Sequence, residues 1–168
     1  MRAQLGKGLR NQFEARLRKE SPCFVHIPAR IPSGYRMYTC RVSDKLAFYM
    51  QLEVADKYDR FNLSVGYGEP GAVPRPYNPF TPASAVHQPG RFRISSLVPG
   101  PYNDRWILLD PNTTEPFATP LPIDDSLAMI PAALDEVFER IAKYALPYFR
   151  AVAESQGHTF DPKMKGSA

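Results

Sequence analysis

The sequence predicts an α+β fold. It consists of a mostly antiparallel sheet of about four to six strands, with an N-terminal helix and C-terminal helices packed on one face. Three observations predict it. Leu46, Phe48, Met50, Leu52 and Val54 alternate with Tyr49, Gln51 and Glu53, which is the pattern of a strand with one buried face. After a short charged turn, Phe61, Leu63, Val65 and Tyr67 alternate with Asn62, Ser64 and Gly66, so the two runs form a hairpin. At the two ends of the chain the apolar spacing changes to that of helices: Leu5, Leu9, Phe13 and Leu17, then Leu134, Val137, Phe138, Ile141 and Ala145. A bare hairpin is marginal in water, so these helices must cover its apolar face.

Taken in order, Gly6 and Gly8 weaken the first turn of the N-terminal helix, which predicts a start near Leu9. Ser21-Pro22 ends it. Cys23–Ile27, between two prolines, reads as an edge strand, and Tyr35–Val42 as a second strand turning at Ser43-Asp44-Lys45 into the hairpin. Residues 69–90 carry six prolines and no periodic pattern, so a long loop is expected there. Phe92–Leu97 reads as a strand and Trp106–Leu109 as a short run pairing with the sheet. Asp124, Asp125 and Ser126 suit a helix start, and Pro131 begins the main helix. Pro147 must kink or break that helix. This gives a single domain over residues 1–156 and a polar tail over 157–168.

The 168 residues are enough to bury a core without disulfides or metals. No apolar run reaches the length of a membrane span, and no secretory signal opens the chain. A cytoplasmic location and no membrane partner are therefore expected. The formal charge is +4. Up to Glu20 the chain has six basic residues against two acidic ones, so this segment holds the whole excess.

Catalytic signatures are sparse. His26, His87 and His158 form no ligand-spaced pair, and no cofactor or metal is expected. Cys23 and Cys40 are not spaced as a redox pair, and a Cys–His nucleophile would need His87 from the loop. Gly66, Gly68 and Gly71 match a dinucleotide fingerprint, but Pro70 and the prolines beyond it forbid the helix such a site needs.

Three groups of residues remain as candidates. Arg91, Arg93, Tyr102, Asp104, Arg105 and Trp106 combine guanidinium forks with aromatics, which suits a carboxylate, a phosphate or a stacked ring. The plainer reading makes Trp106 core and gives Asp104 an arginine partner. Tyr77, Phe80 and His87 lie on the stiff proline segment, a low-entropy way to present a partner surface. Arg10, Arg16 and Arg18 line the first helix and would face nucleic acid or an anionic partner.

The order of elements, the run Arg91–Leu97, Asp104-Arg105-Trp106 and the closing Leu146-Pro147-Tyr148-Phe149 resemble a bacterial family of small α+β proteins, a domain of unknown function. That resemblance implies no catalytic residues, and by analogy with immunity proteins of similar build it suggests a toxin-neutralising or accessory role. The leading expectation is non-catalytic binding of another macromolecule, with a protein as the expected partner. A small hydrolase or transferase using the Arg/Asp/Trp cluster is the alternative, and nucleic-acid binding through the first helix is less favoured.

Overall fold

The computed structural model describes residues 3–28, 34–55, 59–79, 81–99, 106–107 and 121–165. Helix α1 (Ala3–Glu20) leads into strands β1 (Val25–Ile27), β2 (Tyr35–Arg41), β3 (Ala47–Ala55) and β4 (Arg60–Gly68). Then come α2 (Pro82–His87), β5 (Gly90–Arg93), a 3-10 turn (Ile94–Leu97), β6 (Trp106–Ile107), α3 (Ile123–Ala128), α4 (Ile130–Arg140) and α5 (Leu146–Ser155). The strands pair antiparallel in the order β1-β2-β3-β4-β5, and β6 also pairs with β4. The α+β expectation holds.

Register explains why the hairpin is the centre. Phe48 faces Tyr67, Met50 faces Val65, Leu52 faces Leu63 and Val54 faces Phe61. All eight join one core with Leu5, Leu9, Phe13 and Leu17 of α1 and the stripe of α4. Each such side chain contributes about 1.5–3 kcal/mol by leaving water.

Local expectations fail where tertiary contacts overrule them. Helix α1 begins at Ala3, not near Leu9. A Cβ on Gly8 would stand 3.2 Å from Leu127 and 3.6 Å from Ile130, so the glycine lets α1 approach α3 and α4 closely. The opposite face of β3 is not open: Met37, Ala47 and Tyr49 form a second buried cluster, and Gln51 is also buried. The Tyr49 hydroxyl donates to the Glu69 carbonyl at 2.6 Å.

The proline segment is ordered along β5. Tyr77 donates its amide to the Arg91 carbonyl, and Arg91 donates its own to the Arg75 carbonyl, both at 2.8 Å. Within the expected loop lies α2, started by Pro82 and by a reciprocal Thr81–Ser84 capping box; at six residues it is too short to show periodicity. The strand expected at Phe92–Leu97 stops at Arg93.

Pro147 does not break the last helix. A π-helical turn, Ile141–Ala145, precedes it, and the Leu146 amide reaches back to the Ile141 carbonyl. The wider turn accommodates a ring that the α-helical ladder would reject. The segment after Gly157 is not simply a polar tail. Phe160 packs edge-on against Phe48, Phe149 and Phe24, and the Pro162 carbonyl accepts from the Cys23 amide.

Candidate functional site

Alternation along β5 sends Phe92 to the helix-covered face and Arg91 and Arg93 to the other. Trp106 belongs to the helix side: it pairs with Phe61, stacks on that ring at 5.4 Å, and carries the Arg140 guanidinium 5.0 Å above its own. The Arg/Asp/Trp cluster expected from sequence is therefore split by the sheet. Trp106 is core, as the plainer reading held. Tyr102, Asp104 and Arg105 lie outside the described residues.

Arg91 and Arg93 instead line a groove of about 200 Å³ with Tyr35, Gln51, Glu53, Ser64, Tyr77 and Asn78. The sheet supplies one wall and the Pro76–Asn78 strap the other. Glu53 accepts from the Tyr35 hydroxyl at 3.2 Å and sits 3.7 Å from Arg93. Arg91 is half-buried and makes no side-chain hydrogen bond or ion pair among the described residues. Desolvation lowers its pKa, while Tyr35 and Glu53 oppose that shift. Gln51 is 3% exposed, and its Oε1 finds no hydrogen-bond partner among the described residues. The groove thus holds two guanidiniums, one carboxylate and an unanswered acceptor. Sequence reasoning found the arginines but missed Gln51, Tyr35 and Asn78, because only strand register brings them together.

The other candidates have internal duties. Tyr77 sits edge-on to Phe92 at 5.4 Å and donates to the Gln88 carbonyl at 3.0 Å, so it anchors the strap as well as lining the groove. Phe80 lies outside the described residues, and His87 is exposed at the end of α2. Arg16 clasps α1 to α4: it binds Glu20 at 2.6 Å, pairs with Asp135 and lies 4.6 Å above the Phe138 ring. Arg18 pairs with Glu14, and Arg10 is half-buried. The first helix is less open in charge than its composition suggests.

Cys23 and Cys40 are buried together as free thiols. Their mutual hydrogen bond and burial push the Cys23 pKa far up, which keeps it protonated. Exposed His87 does not join them. Among the described residues, no group of three His, Cys, Asp or Glu is placed to hold a metal, and no helix is long and apolar enough to cross a membrane. Gly66 serves a close approach between strands, and β4 runs into a turn rather than a helix, so the dinucleotide pattern is a coincidence of strand packing. No family model, curated protein or solved structure matches this chain.

Proposed function

We propose that this chain is a non-catalytic binding protein that receives an acidic residue of a protein partner in the Arg91 groove. The half-buried Arg91 guanidinium, unpaired among the described residues, carries the reading. A charge held out of water on a rigid strand favours an incoming carboxylate, and Arg forks take one bidentately. The Gln51 acceptor suits an N–H of the same partner residue. At about 200 Å³ the groove has the volume of one side chain, below the usual range of small-molecule sites. A toxin-neutralising or accessory role is one setting for such a module.

The test is affinity capture from nuclease-treated lysate of the source cell, comparing the wild type with Arg91→Glu. The expected result is one stoichiometric protein retained by the wild type and lost by the variant, with equal Tm. Equal capture by both, or capture that disappears with nuclease, would overturn the proposal.

A further inference from the structure

A second cavity, of about 480 Å³, opens between the C-terminal half of α1 and β1. It lies at the far edge of the sheet from the Arg91 groove, since β1 and β5 are the outer strands of the β1–β5 order. Leu17, Phe24 and Tyr38 supply its inner wall, and Glu14, Arg18 and His26 its rim. This volume falls in the range of small-molecule sites.

Tyr38 is 1% exposed, and its hydroxyl finds no hydrogen-bond partner among the described residues. Burying a hydroxyl without a partner destabilises the fold, because its hydrogen bonds to water are lost and not replaced. The ring itself is well held: Phe13 packs on it at 5.5 Å and His26 edge-on at 5.7 Å. An apolar ring would fill the same place, so packing does not explain the hydroxyl. The charges around it are Glu14, Arg10, Arg18 and Arg36, and the Glu14 carboxylate already accepts from Arg18. Burial raises the Tyr38 pKa, so the hydroxyl stays a donor at neutral pH.

We propose that this cavity binds a small organic carboxylate with an aromatic body. The body lies against Leu17, Phe24 and the Tyr38 ring, and the carboxylate accepts from the Tyr38 hydroxyl within the field of Arg18 and Arg36. The site is independent of the Arg91 groove.

The test is isothermal titration of the full chain with 1-naphthylacetate, with 1-naphthylacetamide as its neutral twin, alongside amide NMR mapping. Saturable binding of the acid is expected, with shifts centred on Glu14–His26 and Tyr38. The amide should bind about tenfold more weakly, as should the acid to Tyr38→Phe, because a hydrogen bond to a charged group is lost. The Tm of Tyr38→Phe should equal or exceed that of the wild type, which separates lost binding from lost folding. No saturable binding of the acid at millimolar concentration would overturn the proposal. So would equal affinity for the amide, equal affinity of Tyr38→Phe, or shifts centred on Arg91.

Discussion

Gly66 and Gly90 approach so closely across β4 and β5 that a Cβ on Gly66 would lie 2.0 Å from the Gly90 carbonyl oxygen. A Cβ on Gly90 would in turn lie 2.5 Å from the Tyr77 ring. These two glycines set how tightly β5 and the strap pack, and hence how wide the Arg91 groove is. Gly66→Ala should cost about 2–3 kcal/mol, because the clash is with backbone that cannot rotate away. Urea unfolding measures it; a loss under about 0.5 kcal/mol would show that the strands separate freely.

Arg91 and Arg16 should behave oppositely on truncation. Arg16→Ala removes the clasp to Asp135 and the contact with Phe138, and should cost about 1 kcal/mol. Arg91→Ala removes no ion pair among the described residues and should stay within about 0.5 kcal/mol of the wild type in the same unfolding experiment.

Phe160 tests whether the last segment belongs to the core. It is 5% exposed among three phenylalanine rings. Phe160→Ala should cost about 3 kcal/mol, read as a lower urea midpoint at an unchanged slope. A neutral result would make the segment dispensable.

Alkaline pH should destabilise the fold. The Cys23 thiol is raised from an ordinary 9.0 by its hydrogen bond to Cys40 and by burial. Burial, with Tyr67 beside it, pushes Tyr77 up to about 12 from 10.0, and burial also raises Tyr38 and Tyr148. Below pH 9 both folded and unfolded groups hold their protons, and the stability is fully present. Above it the unfolded chain releases protons that the folded chain retains, so stability falls as pH rises. The urea midpoint should hold up to about pH 9 and then drop steadily between about pH 9 and pH 12. Native Cys23 and Cys40 should resist iodoacetamide at pH 8 and react once unfolded.

The pattern of residues along the chain was sufficient for the fold class, the helix-covered face of the hairpin, the buried stripe of α4 and the end of α1 at Ser21-Pro22. Each follows from a local period or a backbone restriction, which a one-dimensional pattern records in full. Other features depend on pairings between distant segments. Trp106 and Arg91 are close in sequence, yet they face opposite sides of the sheet. The reason is that β5 turns into a 3-10 helix after Arg93, while β6 takes its own register on Phe61. Gln51 reads as a solvent-facing strand residue until β2, β4 and the strap close around it. Gly8 reads as a helix weakness until Leu127 and Ile130 stand against it. The prolines of residues 69–90 remove helix and ladder bonds locally but leave carbonyls and amides for β5 to use, so a segment without any period becomes an edge of the sheet. Local sequence thus determined which elements form, and tertiary structure alone decided which side chains share a site, because burial and register are properties of pairs of segments.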